Sequence, residues 1–351
     1  MNMLKNKISI IQSIPIHQKN SEHGHRSAGA EPSAYYPSRK SNQRTRKFLV
    51  VVCMLFASIV SEKILASEQH ILYISDENYL HPTFVSMASI LKNYQPVDGD
   101  SISFHIAYTQ DAPESDLQHA ARKYAITGIN PEVKYSIDFI PVADLYNSKP
   151  VFDPYGWHQS IYFKLYASEI LPNIDKCLYL DGDIMCNGNI REIFEYPLDE
   201  GTYIGGFDYF SDRINAGVLL MDLTAMRRER FIEEAEEILR KGQEAAKRKP
   251  EKEQERNIFA EEHCLMTLFK GGFGTKFPEK FNKKIGAISK QGKIQEDEPL
   301  IVHFLSRRSK PWRYDKRTLR NGSGKKWPFA RWPIIGEKGW FSYCDLVAIT
   351  E

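Results

Sequence analysis

The chain has 351 residues, of which 42% are hydrophobic, and its 47 basic and 45 acidic residues leave a formal net charge of +2. This length suits one large α/β domain with appendages or two modest domains, and the balanced charge excludes polyanion binding over the whole surface. Five scattered cysteines without metal-type spacing favour a reducing compartment over a disulfide-stabilised fold.

The amino-terminal region does not have the pattern of a folded domain. Residues 1–47 are basic, polar and poor in apolar side chains, and we expect them to be disordered. The apolar segment 48–66 follows directly. Its apolar run is shorter than the roughly 20 residues that a transmembrane helix needs. It therefore resembles an export signal or a helix lying on an anionic membrane surface, unless the start is mis-assigned and the segment has no role.

From His70 onward, strand and helix patterns alternate. Strands are predicted at short apolar runs and helices where apolar residues recur every three or four positions. In chain order, the predicted strands are 71–75, 101–108, 133–142, 176–180, 203–207, 218–223 and 300–304. The predicted helices are 83–94, 113–125, 158–171, 231–239 and 258–269. This alternation predicts a doubly wound, Rossmann-like α/β sheet with parallel central strands.

The most informative motif is Asp181-Gly182-Asp183, which directly follows the apolar strand 176–180. A buried strand that ends in two carboxylates places both at the carboxyl edge of the sheet, where open α/β sheets bind ligands. Two oxygen donors at such a site suit Mn²⁺ or Mg²⁺ held partly by a diphosphate. Asp-x-Asp also occurs often in turns, so the motif indicates a metal site only when further ligand residues accompany it.

Two further pairs of polar residues follow predicted strands. His303 lies at the end of the last strand, where an imidazole can complete a metal shell begun by two carboxylates. Lys310 is close enough in sequence to hold a diphosphate. Asp76 and Asn78 follow the first strand and can bind a base or ribose, although Asp76 also suits the amino-terminal cap of the next helix.

Three more sets of residues are candidates for the same site. Lys164 can neutralise a phosphate or hold a carboxylate, or it is an ordinary surface lysine. Asp208 and the segment Asn215-Ala216-Gly217 combine polar side chains with small residues. This combination is typical of a sugar-binding site and also of ordinary turns. Glu261 and Glu262 lie near the start of a predicted helix, where the macrodipole alone favours carboxylates.

Together these motifs resemble glycosyltransferase family 8, a retaining group that includes bacterial lipopolysaccharide galactosyl- and glucosyltransferases and glycogenin. The matching segments occur in the family's order between His70 and Trp312. They are Ile74-Ser75-Asp76-Glu77-Asn78-Tyr79, Tyr162-Phe163-Lys164-Leu165, Leu178-Tyr179-Leu180-Asp181-Gly182-Asp183, Asn215-Ala216-Gly217-Val218-Leu219-Leu220-Met221-Asp222-Leu223, Leu268-Phe269-Lys270-Gly271-Gly272, and His303 with Lys310-Pro311-Trp312. Each segment is common by itself, whereas the ordered set is specific.

The resemblance implies a GT-A fold over residues 70–312 and a UDP-sugar as donor. It implies transfer of glucose or galactose to a saccharide acceptor such as the lipopolysaccharide core or another surface glycolipid. The implied ligands of Mn²⁺ or Mg²⁺ are Asp181, Asp183 and His303. The implied donor-binding residues are Asp76, Asn78, Lys164, Asp181, Gly182, Asn215, Ala216, Gly217 and Lys310. The implied catalytic residues are Glu262, Glu261 and Asp208.

The sequence departs from the family pattern at two motifs, and its amino-terminal extension is not part of the shared core. His303 and Lys310 are one residue further apart than in His-x-x-Gly-x-x-Lys-Pro-Trp, and the Gly is missing, so we expect the intervening loop to hold the diphosphate differently. Glu261-Glu262-His263 replaces the family's Asp-Gln-Asp, which changes the expected hexose contacts. Glu262 is a carboxylate in place of an amide, and it is a candidate nucleophile or ion-pair stabiliser. Covalent and front-face routes are both open at this point.

Residues 313–351 are basic and aromatic, and they include Lys325, Lys326, Trp327 and Arg331. Interfacial Trp with Lys and Arg suits an anionic membrane surface that carries the acceptor, and the alternative is ordinary protein surface. Nucleic acid is not expected as a partner, because no recognised nucleic-acid module accompanies the patch. Since UDP-sugars are cytosolic, we expect a peripheral protein on the cytoplasmic face of the inner membrane, with export as the alternative.

Two rival functions fit part of the pattern. A sugar-nucleotide nucleotidyltransferase should have a Gly-rich, basic phosphate loop after the first strand, and residues 76–82 contain none. A non-catalytic sugar-binding protein on a decayed transferase fold would fit the altered Glu261-Glu262-His263. The intact set of Asp181, Asp183 and His303 argues against that second rival.

Overall fold

The computed structural model describes residues 8–11, 67–97, 99–109, 119, 121–149, 159–210, 213–248, 261–269, 274–285, 299–305, 309–314 and 339–350. The strands are β1 Ile8–Ile11, β2 Glu68–Ser75, β3 Ser101–Tyr108, β4 Tyr124–Ile126, β5 Lys134–Pro141, β6 Lys176–Leu180, β7 Ile184–Cys186, β8 Ile204–Phe210, β9 Arg213–Asp222, β10 Thr275–Lys276, β11 Lys283–Lys284, β12 Ile301–His303 and β13 Val347–Ile349. The α-helices are α1 Glu77–Asn93, α2 Ala143–Ser148, α3 Ala167–Ile170, α4 Arg191–Phe194, α5 Leu223–Arg228, α6 Phe231–Lys247, α7 Glu261–Leu268 and α8 Trp340–Cys344. The 3-10 helices are Gln159–Tyr166, Glu279–Phe281 and Pro311–Arg313.

The central sheet has the strand order β1-β5-β3-β2-β6-β9-β8-β10. Strands β5, β3, β2 and β6 are parallel to one another, whereas β9 runs antiparallel to β6 and to β8. This arrangement confirms the mixed, parallel-rich α/β sheet that the sequence predicts. Because β2 and β6 are parallel neighbours, the residues that follow them emerge at the same edge of the sheet.

Both faces of the central sheet are covered. In β2, Ile71 and Tyr73 belong to the core cluster that includes α1. Leu72 and Ile74 point to the opposite cluster, which includes α6. Strands buried on both faces have continuous apolar runs instead of alternation, which explains the sequence of β2. Each large apolar side chain buried in this way contributes roughly 1.5–3 kcal/mol to folding.

Three segments differ from the sequence prediction. The segment 158–171 is a 3-10 helix over Gln159–Tyr166 with only a short α3 behind it, because burial of its aromatic residues overrides helical propensity. Most of the predicted helix 113–125 lies outside the described residues, and its last two positions begin β4. Ile8–Ile11, within the segment expected to be disordered, pairs antiparallel with β5 as an edge strand, since its β-branched residues favour extended backbone.

The apolar segment 48–66 lies outside the described residues. Among the residues that the structure describes, no helix is both long and apolar enough to cross a bilayer. Among the described cysteines, Cys177, Cys186 and Cys264 are buried and form no disulfide bond.

Candidate active site

A small second sheet brings the last predicted strand to the acidic pair. Strand β7 begins directly after Asp183 and pairs antiparallel with β12, which places His303 opposite Ile184. The backbone N–H of Phe304 donates to the Asp183 carbonyl oxygen at 3.0 Å. This pairing holds two residues together that are 120 positions apart in sequence.

Asp181, Asp183 and His303 form a cluster whose potential metal-ligand atoms all lie within 4.8 Å of one another. His303 Nε2 is 3.1 Å from Asp183 Oδ1 and 3.6 Å from Asp181 Oδ2. Burial lowers the pKa of His303 to about 4, so the imidazole is neutral near pH 7. A neutral imidazole and two carboxylates are a donor set that fits a divalent cation such as Mn²⁺.

Gly217 on β9 lies directly against this cluster. Its carbonyl oxygen accepts the backbone N–H of Asp181 at 2.8 Å. A Cβ atom at Gly217 would lie 2.2 Å from His303 Cε1 and 2.8 Å from Asp181 Oδ2. Only glycine allows both side chains to approach the strand so closely, which explains the small residue that the motif requires.

Gly217→Ala is therefore expected to displace His303 or Asp181 and to weaken Mn²⁺ binding by at least about tenfold. Binding can be measured by titration of the metal against the purified protein. Gly188→Ala is the matched control, because its Cβ would meet only Leu300 at 3.3 Å or more. Unaltered Mn²⁺ affinity in a folded Gly217→Ala variant would contradict this account.

Lys164 is buried beneath the acidic pair, so the surface-lysine alternative is wrong. Its Nζ lies 3.3 Å from Asp181 Oδ1, 3.2 Å from Glu261 Oε1 and 3.1 Å from the Ala216 carbonyl oxygen. Burial lowers the pKa of Lys164, but attraction by Asp181, Tyr179 and Glu261 outweighs burial and raises the pKa well above its usual value. The buried ammonium therefore forms an ion pair with each of two carboxylates, which lowers the energetic cost of burying these charges.

Asp181 is further held by Tyr179, whose hydroxyl donates to Asp181 Oδ1 at 2.5 Å. Burial raises the pKa of Asp181, whereas Lys164 and His303 lower it, and the net pKa is below the usual value. Asp181 is therefore an ionised carboxylate, as a metal ligand must be. Tyr179 has no site role in the sequence prediction, because it reads as one more apolar residue of the strand.

Of the two glutamates at the start of α7, Glu262 contacts β9 and Glu261 contacts Lys164. Glu262 Oε1 accepts from Asn215 Nδ2 and from the Ala216 backbone N–H, each at 3.3 Å. Burial, followed by repulsion from Glu261, raises the pKa of Glu262 to about 7. Glu261 is buried, and burial raises its pKa. Placement at a helix start alone does not account for these contacts.

The remaining predicted residues lie at the start of α1, directly after β6 and in β8. Asp76 Oδ1 accepts from the Tyr79 backbone N–H at 2.9 Å, which confirms that it caps α1. Asn78 is exposed in the first turn of that helix. Gly182 packs against α1, where a Cβ would lie 2.8 Å from Thr83 Oγ1. Asp208 lies in β8 opposite Ile214.

Lys310 precedes the 3-10 helix Pro311–Arg313, and its ammonium forms an ion pair with Asp183 Oδ2. Burial lowers the pKa of Lys310 to about 8, so it is still mostly charged at neutral pH. Half of the loop between His303 and Lys310, residues 306–308, lies outside the described residues.

Asn282 is a site residue that the sequence prediction missed. It is fully buried behind the short helix Glu279–Phe281, and its Oδ1 lies 2.9 Å from His303 Nδ1. The neighbouring elements are very short, so no strand-end pattern marks this position in the sequence.

Known proteins resemble this chain in sequence and in fold. Residues 70–316 match the model of the family described as glycosyl transferase family 8. The chain is 25% identical over 257 residues to glycosyltransferase GlyF of Streptococcus pneumoniae serotype 4, a match that covers 69% of this chain and only 56% of that protein. It is 26% identical over 270 residues to lipopolysaccharide 1,3-galactosyltransferase of Salmonella typhimurium, which covers 70% of this chain and 74% of the relative.

Among solved structures, the galactosyltransferase LgtC in complex with donor and acceptor sugar analogues matches with a TM-score of 0.56 and 19% identity. The match covers 81% of this chain and 98% of that one. This likeness confirms the predicted GT-A fold.

Proposed function

Because the chain belongs to glycosyl transferase family 8, we propose that it is a retaining hexosyltransferase. In this proposal it moves glucose or galactose from UDP-glucose or UDP-galactose to a saccharide acceptor. The observation that carries the proposal is the convergence of Asp181, Asp183 and His303 at the carboxyl edge of the central sheet. The acceptor that we propose is the lipopolysaccharide core or another surface glycolipid, with support from the relative named for lipopolysaccharide galactosyl transfer.

Asp181, Asp183 and His303 are the residues that would hold Mn²⁺ or Mg²⁺. Their carboxylate oxygens and imidazole nitrogen face one another, and such a set of acceptors is stabilised by a cation among them. A bound divalent cation would supply positive charge for the diphosphate oxygens as the anomeric C–O bond breaks.

Lys310 is proposed to bind the diphosphate of the donor. Its ammonium lies beside Asp183 in a mostly buried position, where a charge-assisted hydrogen bond to phosphate is strong. Asp76 and Asn78 are assigned to the uridine side, next to Gly182. Asp76 keeps one carboxylate oxygen for its role as helix cap, and its second oxygen is the one proposed to accept from the nucleoside.

The sugar side of the donor is assigned to Asp208, Asn215, Ala216 and the two glutamates of α7. The ammonium of Lys164 forms ion pairs with both Asp181 and Glu261 there and holds the two carboxylates in place. Glu262 is proposed either to attack the anomeric carbon or to stabilise an oxocarbenium-like centre while the acceptor attacks from the front face. The two routes differ in whether a covalent glycosyl–Glu262 ester accumulates, which mass spectrometry of the protein during turnover can detect.

The test of the proposed function is a panel of UDP-sugars assayed for UDP release, with and without Mn²⁺. We expect turnover with UDP-glucose or UDP-galactose and an α-linked product, because both donors are α-anomers and the reaction retains configuration. In parallel, UTP and hexose 1-phosphate are assayed for pyrophosphate release. Pyrophosphate without UDP release would establish the nucleotidyltransferase, and donor binding without either product would establish a sugar-binding protein.

We also propose that residues 313–351 hold the enzyme at an anionic membrane surface on the cytoplasmic face of the inner membrane, where a glycolipid acceptor is accessible. Each basic residue near such a surface contributes about 1 kcal/mol. Reversal of Lys325, Lys326 and Arg331 to Glu is therefore expected to weaken binding to anionic vesicles by at least about tenfold. Donor hydrolysis should be unchanged, since it needs only the active site.

Co-sedimentation with anionic and neutral vesicles across a salt series measures this effect. The matched control reverses Lys247, Arg248 and Lys249, which changes the net charge equally in a run of mixed sign. Equal binding of the wild type to neutral and anionic vesicles would refute the membrane role, as would equal losses in both triple variants.

A further inference from the structure

Asn282 links the candidate metal ligands to the candidate sugar-binding residues. Its side-chain Nδ2 lies 2.8 Å from Asn215 Oδ1, and its Oδ1 lies 2.9 Å from His303 Nδ1. Asn215 in turn donates from Nδ2 to Glu262 Oε1. A continuous series of side-chain hydrogen bonds therefore runs from His303 through two amides to Glu262.

The direction of these hydrogen bonds is fixed by one backbone group. The two ends of a side-chain amide are difficult to distinguish by shape alone, but the Gly217 backbone N–H can only donate. It points at Asn215 from 3.1 Å, so the atom that it meets must be the Asn215 oxygen. Asn282 must then present its NH₂ group to the same oxygen, and its own carbonyl oxygen faces His303.

The orientation of Asn282 determines where the proton of His303 lies. An amide oxygen only accepts hydrogen bonds, so His303 Nδ1 must carry the hydrogen. In a neutral imidazole the other nitrogen is then an acceptor. His303 Nε2 therefore directs a lone pair toward Asp183 Oδ1, at 3.1 Å, and toward Asp181 Oδ2.

From these contacts we propose that Asn282 is a positioning residue that fixes His303 in the Nδ1-protonated form and keeps Nε2 available for a divalent cation. The proposal rests on the metal site of the proposed function. Metal-binding histidines commonly donate their second N–H to a carboxylate or a backbone carbonyl, and here a buried side-chain amide has that role. Without Asn282, the ring can place a proton on Nε2 and donate to Asp183, which competes with the cation.

Asn282→Ala is therefore expected to weaken Mn²⁺ binding by about 10–100-fold. The affinity is measured on the full chain without donor, from the electron paramagnetic resonance signal of free Mn²⁺. The matched control is Asn187→Ala, which also removes a buried amide but one whose oxygen accepts from Tyr343 outside the site. An Asn282→Ala protein with wild-type affinity would overturn the proposal, and so would an equal loss in the Asn187→Ala control.

A second measurement is made on the wild type and needs a variant only to assign the His303 signal. Histidine-selective ¹⁵N NMR of the wild type, with and without Mg²⁺, reports which ring nitrogen carries hydrogen, and the His303→Gln spectrum identifies the signal. We expect Nδ1 of His303 to be protonated in both samples, and an unprotonated Nδ1 would overturn the proposal. A wild type that binds no Mn²⁺ yet shows protonated Nδ1 would instead remove metal dependence from the proposed function and leave the role of Asn282 in orienting His303 intact.

Discussion

Asp183→Asn is expected to reduce Mn²⁺-dependent UDP release by at least about 100-fold, toward complete loss. Asp183 is buried between His303 Nε2 and the ammonium of Lys310. The amide removes one charged ligand oxygen and presents an N–H group where an acceptor is needed. Removal of a single group that stabilises developing charge typically costs about 10²–10³-fold in kcat.

The measurement is initial-rate UDP release across a Mn²⁺ series, with circular dichroism to show that the variant is folded. Asp175→Asn is the matched control, because Asp175 is a highly exposed carboxylate at the opposite end of β6. It should keep wild-type activity. Wild-type turnover that survives exhaustive chelation of divalent metals would rule out the metal site itself.

The position of Asp181 and Asp183 could be predicted from sequence because strand periodicity is a local property. A continuous apolar run marks a strand buried on both faces, and the residues behind it must emerge at the edge of the sheet. The partnership with His303 follows less directly. It depends on the pairing of β7 with β12 across 120 positions, and in the sequence only the strand-end position of His303 and the family's order of motifs indicated it.

Lys164 and Asn282 show what local patterns cannot specify. Lys164 lies in a segment that reads as a helix, but tertiary packing of its aromatic neighbours makes that segment a 3-10 helix and buries the ammonium. Asn282 lies between a single 3-10 turn and a two-residue strand. Elements so short carry no periodicity, so its contact with His303 is visible only in three dimensions.

Glu262 should give the second large effect. Glu262→Ala is expected to lower kcat by about 10²–10³-fold with little change in donor affinity, because its carboxylate is proposed to act on the anomeric centre during reaction and not on the bound donor. Glu262→Gln should give an intermediate kcat if charge is needed and a nearly wild-type kcat if a dipole suffices. A normal kcat in Glu262→Ala would leave this residue as a helix-start carboxylate only.

The pH dependence of stability distinguishes the effect of the Glu262 charge from the effect of its packing in the same variants. Burial, and then Glu261, raises the pKa of Glu262 from 4.5 to about 7, so the ionised form is disfavoured in the folded protein. The resulting loss of stability is absent below pH 4.5, develops as pH rises toward 7, and is constant above that. At 1.36 kcal/mol per pH unit, it amounts to about 3 kcal/mol.

Glu262→Gln cannot ionise, so it should be more stable than the wild type at pH 8 by up to about 3 kcal/mol and equally stable near pH 4, as measured by urea denaturation. If the carboxylate is the catalytic form, wild-type kcat/KM should fall about tenfold per pH unit below 7, because kcat/KM reports the pKa of the free enzyme. The Gln variant should lack that acidic limb. Rising pH is therefore expected to lower the stability of the wild type and to raise its activity, because the charge that destabilises the fold is the charge that the reaction uses. An acidic limb that persists in Glu262→Gln would assign the titration to another group and remove Glu262 from the chemical step.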